Sequence, residues 1–153
     1  MVYNMKELSK TQALRFNGSL WCNLDIALRN LDQIYTQAVQ PMGLSVIEWY
    51  ILRALLDQDG QHASELARAV GRAATSFTPI LDKLQKKNMI ERRADPSDRR
   101  AVRIFLTNEG RKQKSAINKS AEQIDAQIRQ LFPNGEYEAF QNSLALLQSI
   151  EQN

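Results

Sequence analysis

The residues of this 153-residue chain best equipped for chemistry sit in one charged stretch, Asp95-Pro96-Ser97-Asp98-Arg99-Arg100. Proline fixes φ, and Asp and Ser side chains bond their own backbone, so the stretch reads as a turn. Adjacent arginines at a turn tip are either solvated charges or an anion contact. Arginine suits the second role because it is weakly hydrated and presents a planar fork of donors. The surroundings weigh on the choice. Residues 83–114 hold eleven Lys/Arg against four carboxylates, a local charge of +7 that leaves −4 for the rest of a chain of net charge +3. A basic patch on an otherwise acidic chain points to a polyanion partner, although many solvated faces look similar.

Enzyme chemistry finds little support. One cysteine, Cys22, cannot form an internal disulfide, and one histidine, His62, leaves too few ligands for an ordinary zinc site. No Ser/His/Asp or Cys/His arrangement, phosphate-cradling glycine loop or paired-carboxylate signature is present. The expectation is a non-enzyme with no cofactor and no metal. With 43% hydrophobic residues and only six Gly and four Pro, the chain can bury a real core. The opening MVYNMKELSK lacks the apolar run of a leader. The most apolar segment, VIEWYILRALL, is interrupted by Glu48 and Arg53 and is too short to span a bilayer. A cytoplasmic protein without membrane contact is expected.

The elements that must position the charged stretch follow from periodicity. Leu20, Leu24, Leu28, Leu31 and Tyr35 recur every three or four residues, which predicts a helix over 19–39. Pro41-Met42-Gly43 ends it, and Ser45-Val46-Ile47-Glu48 is a capping box opening a central helix to about Leu56. ASELARAV (63–70) and ATSFTPILDKLQKK (74–87) are two further helices, the second with Phe77, Ile80, Leu81 and Leu84 facing inward and Asn88 as a left-handed cap. Met89 and Ile90, then Val102, Ile104 and Leu106 at period two, make a hairpin around the charged turn. Thr107 caps a long helix to about Leu131, and Phe132-Pro133-Asn134-Gly135 separates it from a last helix over about 136–150. The fold class is mostly α (α+β). It is a winged helix-turn-helix, with N- and C-terminal helices whose narrow apolar seams suit a dimer interface.

On these residues the chain resembles the multiple-antibiotic-resistance-regulator (MarR) family of transcription factors. LDKLQKKNMIERR, DPSDRR and LTNEGR, in that order, carry the resemblance. It implies a single MarR-like domain over 1–153. Within it lie a winged helix-turn-helix DNA-binding lobe at 40–107 and dimerisation helices at 19–39 and 108–150. It also implies a homodimer that binds double-stranded DNA at a pseudo-palindromic operator. Asp98-Arg99-Arg100 matches the family's Asp-x-Arg wing tip. The resemblance therefore places Arg100 in the minor groove with Asp98 holding its guanidinium, and Arg99 nearer phosphate. A narrow minor groove concentrates negative potential, which supports that assignment. The 74–87 helix is then the recognition helix. Its exposed early positions are Ala74, Thr75, Ser76, Thr78 and Pro79, where hydroxyls read bases or phosphates, or only cap the helix. Pro79 departs from the polar or basic residue common in the family. It removes a helix hydrogen bond and is expected to kink the helix or shift its start. Lys83, Lys86, Lys87, Arg92 and Arg93 are phosphate candidates.

The family's ligand pocket lies between the dimer helices and the DNA-binding lobe. Trp21, Asp25, Trp49, Arg53 and His62 are candidate lining residues for a small aromatic ligand, each with a plainer role in core, surface or cap. Some members sense oxidants through a cysteine in the first helix. Here Trp21 occupies that position, and Cys22, about 100° further round, is expected to be a buried, inert thiol. The expected function is a sequence-specific, homodimeric transcriptional repressor released by a small molecule. The alternative is a winged-helix dimer that binds another protein and has no operator of its own.

Overall fold

A computed structural model describes residues 13–98 and 100–150. The first ten residues, read above for a leader, and Arg99 lie outside them. The side chain of Ala74 is also outside the description.

Helix α1 spans Leu20–Val39, and the Ser19 hydroxyl accepts the Cys22 amide at 3.4 Å to satisfy one free N–H of its first turn. A short 3₁₀ turn, Gln40–Met42, ends in Gly43 at φ +68°, a left-handed conformation that glycine adopts without penalty. Helix α2, Val46–Asp57, opens with the expected capping box: the Ser45 N–H donates to Glu48 Oε2 at 2.8 Å and the Glu48 N–H to Ser45 Oγ at 3.4 Å. It buries Trp49, Ile51, Leu52 and Leu55, so it is the spine of the core. Strand β1 (Gln61–His62) leads into helix α3 (Ala63–Ala69), followed by helix α4 (Ala74–Lys86). Asn88 is left-handed at φ 56°, as expected of the cap after α4.

Strands β2 (Ile90–Ala94) and β3 (Val102–Leu106) pair antiparallel, with Ile90 opposite Leu106, Arg92 opposite Ile104 and Ala94 opposite Val102. The sheet has a third member that strand periodicity did not reveal. β1 pairs with the other side of β3, giving the order β1-β3-β2. Ile90, Ile104 and Leu106 are buried against Leu66, Phe77, Leu81 and Leu84 of the helices.

The long helix expected from Thr107 to Leu131 is two helices, α5 (Asn108–Lys112) and α6 (Lys114–Arg129). Thr107 does cap the first, accepting the Gly110 amide at 3.1 Å. The joint at Gln113 closes with a three-residue bond, its N–H to the Gly110 carbonyl at 3.1 Å, so the chain tightens there without leaving the right-handed region. Helix α7, Glu136–Gln148, buries none of its residues, and Leu146 remains 71% exposed. At the other end of the chain Trp21 on α1 is 79% exposed. No described helix is long and apolar enough to cross a membrane.

Candidate nucleic-acid interface

Helix α4 turns Phe77, Leu81 and Leu84 into the core and leaves Thr75, Ser76, Thr78, Pro79 and Lys83 exposed. Its N-terminal residue is Ala74, and its N-cap Ala73 offers no side-chain cap. The Ser76 hydroxyl donates back to the Ala73 carbonyl at 3.0 Å, a contact that satisfies none of the free N–H groups of the first turn, so it is not the cap considered for it. Pro79 lies inside the helix, the sixth of its 13 residues. The start is therefore not shifted to bring proline into the first turn. Lacking an N–H, Pro79 leaves the Thr75 carbonyl without its usual helical donor, on the exposed side of the element.

The wing is built on two carboxylates. Asp98 accepts the Arg100 backbone N–H at 2.9 Å, and its own carbonyl accepts the Ala101 amide at 2.9 Å. Asp98 thus holds the backbone of Arg100 rather than its guanidinium, the contact expected from the family. Arg100 is exposed and has no ion-pair partner among the described residues. Asp95, in the expected turn, is only 2% exposed. It accepts the Ser97 amide and hydroxyl at 2.7 and 2.5 Å, His62 Nε2 at 2.6 Å and the Arg103 guanidinium. The Ser97 hydroxyl, then His62, the Ser97 amide and Arg103 hold the Asp95 carboxyl far below the usual carboxylate range, outweighing the opposing effect of burial. Arg103 also donates to the Gly60 carbonyl at 2.9 Å. One buried carboxylate therefore ties the wing loop to β3 and to the strand that starts α3.

The cationic candidates divide. Lys83 and Lys86 have no ion-pair partner among the described residues. Lys87 is turned inward, donating to Glu48 at 2.8 Å and to the Gly43 carbonyl at 2.7 Å. Burial alone would raise the Glu48 carboxyl, but Lys87 and Ser45 together hold it below its ordinary value. That is a structural task, not a phosphate contact. Arg92 reaches from β2 to α4, pairing with Asp82 at 2.7 Å and donating to Gln85 at 2.6 Å and to the Thr78 carbonyl at 3.4 Å. It joins the wing to α4. Arg93 pairs with Glu91 and lies over the Phe105 ring, 4.4 Å from its centroid.

The five candidate ligand residues fall in three places. Trp21 and Asp25 line a surface hollow with Arg15, Phe16 and Cys22, and Asp25 pairs with Arg29 at 2.9 Å. Cys22 is half-buried there, not the buried thiol expected. Trp49 and Arg53 line a different cavity, of about 400 Å³, between α1, α2 and α6. His62 belongs to the wing network, and its N–H donates to Glu65 at 3.3 Å, matching the cap role considered for it. The sequence reading missed Tyr35, Asp32 and Asp125 as cavity residues. No local signal marks them, because they converge from separate helices.

A three-helix core, a recognition helix with an exposed hydroxyl-bearing face and a two-stranded wing pinned to it define a winged helix-turn-helix protein. Residues 44–102 match the MarR family. Over 86 residues it is 28% identical to the HTH-type transcriptional regulator SarZ of Staphylococcus epidermidis, covering 56% of this chain and 58% of SarZ. The chain thus aligns with little more than half the length of that relative. Two solved structures share the fold. The transcriptional repressor CouR, bound to a 23-mer DNA duplex, is 24% identical with a TM-score of 0.78, covering 85% of this chain and 92% of CouR. MepR of S. aureus, in a complex with DNA, is 21% identical with a TM-score of 0.77, covering 86% and 97%. These relatives are regulators, not enzymes.

Proposed function

We propose that this protein is a DNA-binding transcriptional regulator that acts as a homodimeric repressor and is released by a small molecule. The observation that carries the reading is the Arg92 bridge. By linking β2 to α4 it sets the exposed face of that helix beside the wing. On that surface Thr75, Ser76 and Thr78 supply hydroxyls for base edges or phosphates, Lys83 and Lys86 neutralise phosphates, and Arg100 enters a minor groove. The DNA-bound states of CouR and MepR support the same use of the fold. The exposed apolar seams of α1 and α7, with Leu20, Trp21, Leu28 and Leu146 each more than 60% exposed, support dimerisation through these helices. A two-fold dimer would read half-sites about one helical turn, roughly 34–36 Å, apart. A repressor of this kind works in the cytoplasm, where its operator is.

Fluorescence anisotropy tests this on a duplex from upstream of the protein's own gene beside a shuffled duplex, across a salt series. The expected result is preferential binding of the upstream duplex, affinity that falls as salt rises, and a marked loss on Arg100→Ala. Equal binding of both duplexes, unaffected by Arg100→Ala, would sink the reading of a self-regulating repressor.

A further inference from the structure

The cavity between α1, α2 and α6 has the size of a small-molecule site, about 400 Å³. Its chemistry is specific to this chain. Tyr35 and Trp49 bring their rings to 5.4 Å at a 60° tilt. The Trp49 N–H is already spent on Ser120 Oγ at 3.0 Å, so what the indole has left to offer a ligand is its π system. That π system already attracts a cation, since the Arg53 guanidinium carbon lies 5.5 Å from the ring centroid. Asp32 and Asp125 line the same space. Among the described residues neither carboxylate has an ion-pair or hydrogen-bond partner, and Arg53 pairs with neither. The titration of Tyr35 agrees with this layout: burial, then the nearby Asp125, raise its phenol, while Arg53 acts the other way.

The cavity is therefore lined by two exposed carboxylates with no ion-pair partner among the described residues and by one guanidinium beside aromatic faces, a net charge of −1. An aromatic anion would have Arg53 in its favour and two carboxylates against it. A flat aromatic cation has both carboxylates and both rings in its favour and needs only to displace Arg53 from Trp49. We propose that this cavity binds a planar aromatic organic cation, stacked against Trp49 and Tyr35 and neutralised by Asp32 and Asp125. The inference rests on the ligand-responsive reading above and names the chemical class of the ligand.

Isothermal titration of the full chain, without DNA, tests it with 9-aminoacridinium as cation and 9-anthracenecarboxylate as an anion of matched shape. The expected result is saturable binding of the cation at least tenfold tighter than of the anion. Asp32→Asn with Asp125→Asn should weaken the cation at least tenfold, and Arg53→Met should leave it unchanged or tighter. If the double variant does not fold, as judged by circular dichroism, Arg53→Met decides alone: loss of cation binding overturns the proposal. Preference for the anion, or indifference of the cation to the two aspartate substitutions in a folded protein, also overturns it. Because no DNA is present, failure here leaves operator binding intact, and failure of operator binding leaves this result intact.

Discussion

His62 Nε2 lies 2.6 Å from Asp95 Oδ2 across 33 residues of sequence, and the same carboxylate oxygen receives the Arg103 guanidinium. Asp95 is the point at which the wing loop, β3 and the start of α3 meet. Replacing it with Asn keeps the shape but removes the charge that two cationic or donor groups share, and a buried group left half-paired is costly. The expected outcome for Asp95→Asn is a lower Tm and faster amide exchange at Ser97 and Ala101, with exchange in α6 slowed or sped no more than by the global loss. Uniform exchange across both regions would mean that the carboxylate does not organise the wing.

The pH dependence has a definite sign. Asp95 and Glu48 both titrate below their ordinary values in the folded protein. A carboxyl with a depressed folded pKa binds fewer protons when folded than when unfolded, so its stabilisation is present above the unfolded value and lost as pH falls. With unfolded values near about 4, the loss should set in below about pH 5 and continue down the acid limb. Tm measured from about pH 6 to about pH 2 should fall less steeply in Asp95→Asn than in the parent chain. Parallel curves would show that Asp95 is not held down in solution.

Much of this architecture was legible because its signals are local. The Ser45–Glu48 box, the Asn88 cap, the strand Val102–Leu106 and the inward set Phe77, Ile80, Leu81 and Leu84 each lie within a few residues and each is present, with Ile80 only partly buried and Val102 exposed. What escaped is non-local. β1 is two residues long and has no periodicity to show, and only its pairing with β3 makes it a strand. Asp-Pro-Ser reads only as a turn, and nothing local announces that His62 and Arg103 converge on Asp95. Lys87 looked like a phosphate contact until Glu48, 39 residues away, claimed it. The break at Gln113 carries no proline or glycine to announce it.

Gly110 gives a further test of the packing beneath the wing. A Cβ built there would lie 2.1 Å from the Met89 carbonyl oxygen, and that carbonyl also accepts the Thr107 amide at 3.1 Å. The obstacle is backbone, so it cannot rotate away, and α5 or the start of β2 must move. Gly110→Ala should cost about 1–3 kcal/mol, the usual range for overpacking, despite alanine's better helix propensity. Urea denaturation measures it, and a neutral or stabilising result would mean that α5 docks more loosely than described.

The last test concerns the link between the lobe and the helix behind it. The Trp49 N–H on α2 donates to Ser120 Oγ on α6 at 3.0 Å, both residues are buried, and the hydroxyl donates its own hydrogen bond to the Ile117 carbonyl at 2.8 Å. Ser120→Ala strands the indole N–H in a buried site, which costs about 1–3 kcal/mol. Trp49→Phe removes the donor as well as ring area. If the bond is the reason for the serine, the double variant should lose less than the two single losses added together, and the non-additivity is the coupling energy. Additive losses in urea denaturation would show that α2 and α6 are held by apolar packing alone. The packing of α6 on α2 would then rest on core residues such as Ile117 and Ala121 rather than on the serine.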